Sequence, residues 1–396
     1  MYIVLPMRKE WIYRLSLSLV ASLLSLFTAE CIVRVALPAP PRVTVTARYD
    51  KDPPATAGGL IARHRLPRSP EEGFIYVPTS TGRRLRPNAR VVIENNVLGG
   101  RTIEIATNSL GYRNREIGPK SERRFLFLGD SITFGDFLHE EETFVRLVED
   151  LAQTEKLAWE TVNAGIGGIS LANELAILEE TGLSLSPDAV VVCYYLNDYH
   201  ESPGIVIQSV PPSLAWSNLA AHLWFSLPRL LSLPAGVLRP AVNRPEIETW
   251  RNEFTKLLAV SNANPSAEQK SFYNGVLKAF GDWGGAWSPH SWPFVLPYLA
   301  QIQDLAHRHD FQLFIVAFPV RAQVHASIND NYPQQRIRDF AAEQNIPFLD
   351  MLPVLRNARV AAPIFYDHCH HTPEGNRLIA EAIYRFLSQH IPNREL

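Results

Sequence analysis

"FLFLGDSITFG", Phe125 to Gly135, decides how the rest of the chain is read. Four apolar residues run into Gly129-Asp130-Ser131 and then into a polar segment that ends on Gly135. A short continuous apolar run of this kind marks a strand buried on both faces. It stops on a small, unhindered serine flanked by an aspartate, so a buried strand delivers a hydroxyl to its own end.

Outward from that stretch, strand and helix alternate. Phe144, Leu147, Val148 and Leu151 fall on one face at helical spacing. "WETVNAG" reads as a second strand, and Leu171, Leu175 and Leu178 mark the next helix. "AVVVCYYL", Ala189 to Leu196, is the strongest strand, apolar on both faces. A helix carrying Leu299, Ile302 and Ala306 leads to "FQLFIVAF", and "IPFLD" is a short fifth strand. The closing helix turns Leu378, Ile379, Ala382, Ile383 and Phe386 inward, with Thr372 as its cap and Pro373 in its first turn. Such alternation implies a parallel sheet covered by helices on both sides.

Ligands of doubly wound sheets bind at the C-terminal ends of the strands. The first strand ends in Gly129-Asp130-Ser131, the second in "NAGIGG", Asn163 to Gly168, and the third in Asn197-Asp198. The fifth leads to "FYDHCHHTPEG" just before the last helix. Polar and glycine residues far apart in sequence thus converge on one sheet edge. Acyl transfer needs a nucleophile, donors for an oxyanion, and a base with an orienting acid.

These blocks, in this order, resemble the SGNH (GDSL-like) hydrolase superfamily, over roughly Arg124 to Leu387. "GDSITFG" is similar to the first block and implies Ser131 as nucleophile. "NAGIGG" resembles the second, whose glycine N–H is by position that of Gly168. "YLND" resembles the third block, G-x-N-D, and implies Asn197 as a side-chain donor, with Tyr195 in place of the leading glycine. "DHCH" fits the last block, D-x-x-H, and implies Asp367 and His370. The resemblance implies a three-layer α/β/α sandwich, an esterase or deacylase working through an acyl-enzyme, and an oxyanion hole made by Ser131, Gly168 and Asn197. No cofactor or metal is expected. A serine hydroxyl is a poor nucleophile until a base takes its proton; His370 would be that base, and Asp367 would hold its tautomer. Asp130 and Asp198 read as loop-holding residues.

Each block also has a plainer reading. Gly-Asp-Ser can be only a turn, the glycines a tight connection, and Asn197 a helix cap. His368, His370 and His371 with Asp367 and Cys369 have the residue types of a metal site. Adjacent histidines on an irregular loop rarely point the same way, however, and no second ligand cluster accompanies them. All four blocks at successive strand ends favour catalysis. Transfer of the acyl group to another hydroxyl, and a non-catalytic binding module on the same fold, are the alternatives.

The 396 residues are 46% hydrophobic and 20% charged, as expected for a globular chain with a real core. A net charge of -2 and the lack of a long basic run with interleaved aromatics argue against nucleic acid as partner. Cys31, Cys193 and Cys369 form neither a disulfide framework nor a zinc pattern. Leu15 to Ala29 is an uncharged run that extends, past Glu30, to Val33, which is about the minimum for a spanning helix. Arg8, Lys9 and Arg14 precede it and favour a cytoplasmic N-terminus, although Arg34, Arg42 and Arg48 follow. No clean small-x-small cleavage site favours a signal peptide. The expected organisation is an anchor over 1–37, a Pro/Arg-rich linker over 38–90, a small β preface over 91–123 with a turn at Asn95-Asn96 or Gly99-Gly100, and the hydrolase-like domain over 124–396. The domain would lie outside the cytoplasm on a single-pass anchor, with a small-molecule or glycan ester as substrate. Residues 199–297 form an insertion, dense in proline, that holds Trp216, Trp224, Trp250, Trp283, Trp287 and Trp292 of the eight tryptophans. It is either a cap whose aromatic faces stack on sugars or acyl chains, or a helical piece with its own small core.

Overall fold

A computed structural model describes residues 7–37, 44–49, 75–94, 100–120, 123–201, 216–223, 245–261, 265–358 and 360–391. The chain forms two compact units, Met1–Val43 with Gln208–Pro240, and Thr44–Ile207 with Ala241–Leu396.

The larger unit is built on five parallel strands: β6 (Arg123–Gly129), β7 (Trp159–Asn163), β8 (Ala189–Tyr194), β9 (Gln312–Ala317) and β10 (Phe348–Asp350). Their order is β10-β9-β8-β6-β7. The five strands read from the sequence are therefore the five strands of the sheet. Every residue of β8 is buried, which is why its sequence shows no alternation. β6 pairs with β7 on one side (Phe127 opposite Asn163) and with β8 on the other (Gly129 opposite Cys193). The chain thus reverses its winding direction after β7, and the switch point lies between β6 and β8. In this strand order the crevice for a ligand opens at that point.

Helices cover both faces. α3 (Phe144–Thr154) packs against the closing helix α9 (Pro373–His390), and α4 (Leu171–Ile177) packs against α7 (Leu296–His309). α8 (Tyr332–Glu343) lies on β9 and β10. The result is the expected three-layer α/β/α sandwich. The closing helix starts as its sequence implies: the Thr372 side chain accepts from the Gly375 N–H, with Pro373 following. The side-chain oxygen of Asn376 accepts the Phe144 N–H at 3.0 Å and so ties the two helices together.

Ahead of the sandwich, β4 (Ala89–Glu94) pairs antiparallel with β5 (Ile103–Ala106). The turn between them falls largely on 95–99, outside the described residues. The range read as a linker is more ordered than its composition implies. β1 (Thr44–Tyr49) adds a third strand beside β4, and β2 (Tyr76–Thr79) and β3 (Gly82–Leu85) form a hairpin. β2 and β3, of four residues each, are too short to show alternation, so nothing periodic marks them. Residues 38–43 and 50–74 lie outside the described residues.

The described part of the insertion that belongs to this unit is helical. α5 (Pro245–Ser261) and α6 (Ala267–Lys278) enclose an aromatic cluster of Phe254, Phe272, Phe280, Trp283 and Trp287. Trp283, Trp287 and Trp292 are all buried. Trp250 stacks on His290. Trp283, Trp287 and Trp292 thus pack inside a local core, whereas Trp216 is exposed in the smaller unit and Trp224 lies outside the described residues.

In the smaller unit, α1 (Met7–Ala36) carries a 24-residue stretch, Tyr13–Ala36, long and apolar enough to cross a membrane. At 1.5 Å per residue it reaches about 36 Å, beyond the roughly 30 Å of a bilayer's hydrocarbon core. Its one acidic side chain is used locally. Glu30 accepts from Ser217 Oγ at 2.7 Å and from the N–H groups of Asn218 and Leu219 at 2.9 Å each, and it pairs with Arg34. Those N–H groups open the short helical turn over 218–223 and lack a partner within it.

Candidate active site

Ser131 begins α2 (Ser131–Phe134), a single buried turn directly after β6. Asp130 caps it, its Oδ1 accepting the Ile132 N–H at 2.9 Å. The second block lies alongside. Asn163 accepts from the Gly165 N–H and donates to the Thr133 carbonyl at 2.8 Å, while the Ile166 N–H donates to the Gly129 carbonyl. Gly165 has no room for a side chain, since a Cβ there would stand 2.3 Å from the Phe134 nitrogen. Gly168 takes φ +72°, a left-handed conformation that glycine adopts without cost. The third block is tied in by the Leu171 N–H, which donates to the Asp198 carbonyl, and by the Tyr195 N–H, which donates to Asp198 Oδ2. Asp130 and Asp198 thus hold their loops.

The last block brings Asp367 and His370 to Ser131. His370 Nε2 lies 2.9 Å from Ser131 Oγ, and His370 Nδ1 lies 2.9 Å from Asp367 Oδ2. The other Asp367 oxygen accepts the backbone N–H groups of Cys369 and His370. Ser131 Oγ is also 3.3 Å from Asp130 Oδ2. Burial opposes charge on both members of the Asp367–His370 pair, yet their environment outweighs it. Hydrogen bonding from His370 holds the Asp367 carboxyl well below the usual range. Cys369 and the Asp367 carboxylate raise His370 well above an ordinary histidine. The edge of the Phe137 ring meets His370, and Phe137 itself sits at φ +70°. A bulky residue rarely takes that conformation, and such strain gathers at working sites.

The three histidines of the loop do not share a centre. Burial and the neighbouring His370 charge push His371 down to about 3, and its ring packs between Phe318 and Phe365. His368 faces outward, 42% exposed, toward Asp282. Ligand atoms of Asp367, Cys369 and His370 do lie within 4.8 Å of one another. Both His370 nitrogens, however, are already within hydrogen-bond distance of Asp367 and Ser131.

Asn197 is 5% exposed; its amide nitrogen lies 3.4 Å from Asp282 Oδ1, and its side-chain oxygen has no partner among the described residues. No sequence pattern singles out Asp282, and the same holds for three other residues. Asp136 Oδ2 stands 3.8 Å from His370 Nε2. The buried Arg113 donates to the carbonyls of Phe134, Gly135 and Leu138, which fixes the turn behind Ser131. Arg83, on the β2–β3 hairpin, donates to the carbonyls of Gly167 and Gly168. Local spacing is silent on these residues, because each acts on a loop outside its own motif.

A serine hydroxyl held against a buried imidazole, at the switch point of a parallel sheet, is the build of an acyl-transferring α/β enzyme. A model of the GDSL-like Lipase/Acylhydrolase family matches residues 127–378, well over half of the chain. The chain belongs to that family and is a hydrolase acting on ester bonds. Among solved structures it is similar to the acetyl xylan esterase AlAXEase, at 14% identity and a TM-score of 0.36, over 66% of this chain and 98% of that one. It is also similar to TesA, at 12% identity and a TM-score of 0.37, over 68% and 100% of the two chains. A catalytic mutant of Axe2, an acetylxylan esterase from Geobacillus stearothermophilus, is 16% identical with a TM-score of 0.37, over 69% and 97%. No curated protein matches the chain.

Proposed function

We propose that the chain is a membrane-anchored serine esterase that works through an acyl-enzyme. His370 takes the proton from Ser131 Oγ as that oxygen attacks the ester carbonyl, and Asp367 holds the imidazole with Nε2 toward the serine. The carbonyl oxygen becomes an oxyanion, held by the N–H groups of Ser131 and Gly168 and the side-chain amide of Asn197. His370 then gives its proton to the departing alkoxide. Water, deprotonated by the same imidazole, attacks the acyl carbon and releases the acid and free Ser131. The observation that carries this reading is the continuous Ser131–His370–Asp367 chain, 2.9 Å at each step. Tyr13–Ala36 is the anchor, and the basic residues ahead of it favour a catalytic part outside the cytoplasm, acting on an acylated envelope glycan or lipid.

A fluorophosphonate probe tests it, because only an activated serine reacts. The wild type should be labelled on Ser131 and Ser131→Ala should stay unmodified; equal labelling of the two would end the serine-enzyme reading.

A further inference from the structure

Asp282, half-exposed, reaches the site from the insertion, next in sequence to Trp283 of the aromatic cluster. One carboxylate oxygen lies 3.4 Å from the Asn197 amide nitrogen, and the other lies 3.3 Å from His368 Nε2. His368 Nδ1 in turn stands 3.9 Å from Asp367 Oδ2. A line of polar groups therefore runs from the proposed oxyanion donor back to the acid that orients the base. The backbone holds Asp282 firmly: the Tyr199 hydroxyl donates to the carbonyls of Phe280 and Asp282.

A bare carboxylate beside an oxyanion donor is a liability. It competes for the same N–H and opposes the charge that develops on the substrate oxygen. His368 offsets this by facing it with an imidazole whose pKa is raised, burial being outweighed by Cys369 and Asp282. The pair is nearly neutral as a whole, yet it is open to solvent, 42% on His368 and 37% on Asp282. Its exposed carboxylate oxygens can accept further hydrogen bonds.

Its position defines which half of the ester it meets. His370 must protonate the leaving alkoxide, so the alcohol half lies against His370, and the His368 ring centre is 6.3 Å from that of His370. A hydrocarbon alcohol would cover this half-exposed pair and strip its water without replacing it, which is costly. A hydroxylated alcohol would satisfy them.

We propose that Asp282 and His368 form a binding site for free hydroxyl groups on the alcohol half of the substrate, which makes that substrate an ester of a polyhydroxylated alcohol such as a sugar. This rests on the esterase reading and narrows it from glycan or lipid to glycan.

The test compares p-nitrophenyl acetate, a mono-O-acetylated methyl glycoside with its other hydroxyls free, and the fully O-acetylated glycoside, which has no hydroxyl to donate. Full-length protein in detergent is used throughout. The wild type should favour the mono-acetylated over the fully acetylated sugar by roughly tenfold or more in kcat/KM, the scale of a hydrogen bond to a charged group. Asp282→Ala should erase that preference mainly through KM, and Asp282→Asn should reduce it. A wild type indifferent to the free hydroxyls would overturn the inference while leaving the esterase reading intact. An equal fall in kcat on all three substrates in both variants would also overturn it, reducing Asp282 to a residue that orients Asn197. Hydrolysis of none of the three by the wild type would sink the esterase reading and this inference with it.

Discussion

At the scale of single residues, the pH profile follows from the Asp367–His370 pair. In the proposed mechanism the base works only as neutral imidazole, and the paired carboxylate favours the charged form. The folded pKa of His370 is raised, so His370 stays protonated and idle until the pH passes that raised value. The acid limb of kcat/KM should therefore lie above about 6.5, the ordinary histidine value. Asp367→Asn removes the negative partner, so the limb should move down in pH, while kcat falls by roughly 10³–10⁴-fold because the tautomer is no longer held. A limb that stays in place in Asp367→Asn would detach Asp367 from the base. Ser131, Gly168, Asn197, Asp367 and His370 are legible in sequence because each belongs to a polar or glycine block that follows a strand, where packing gives no reason for it. Asp282 is not. It lies in a stretch whose tryptophans draw the eye, and only the fold brings it to Asn197.

At the scale of elements, the site depends on loops that fit against each other without slack. The second block can approach α2 only because Gly165 lacks a side chain; an added Cβ would meet backbone atoms of Phe134 at 2.3 Å and Thr133 at 2.6 Å. Backbone cannot swing aside as a side-chain tip can, so Gly165→Ala should cost about 1–3 kcal/mol, the range for overpacking, and slow probe labelling of Ser131. Gly118→Ala is the control, since nothing lies within 4 Å of that position. Thermal unfolding reads both, and an unchanged Tm for Gly165→Ala would show that the two loops are not locked. β6, β8 and β9 can be read from sequence because burial on both faces leaves an uninterrupted apolar run. The β2–β3 hairpin cannot: its Arg83 and Arg84 look like linker charge, although Arg83 holds the Gly167 and Gly168 carbonyls and Arg84 pairs with Glu180. Likewise the tryptophans on and after α5 and α6 look like a binding surface in sequence, because burial in a local core and exposure on a cap share one composition.

At the scale of the whole molecule, the apolar helix should govern where the protein is found. Full-length chain should stay in the membrane pellet after an alkaline wash, and a chain beginning at Arg42 should leave it; a full-length protein that washes off freely would remove the anchor. Losing α1 has a second effect, because Glu30 is the cap for the N–H groups of Asn218 and Leu219. The helix is thus specific in sequence and not merely greasy. Any apolar segment of the right length could hold the protein at a bilayer, but one without a carboxylate at that height would strand two backbone donors and the Ser217 hydroxyl. Stretches 187 residues apart in the chain are therefore bound to vary together, and a lineage that exchanged its anchor would have to rewrite its insertion as well.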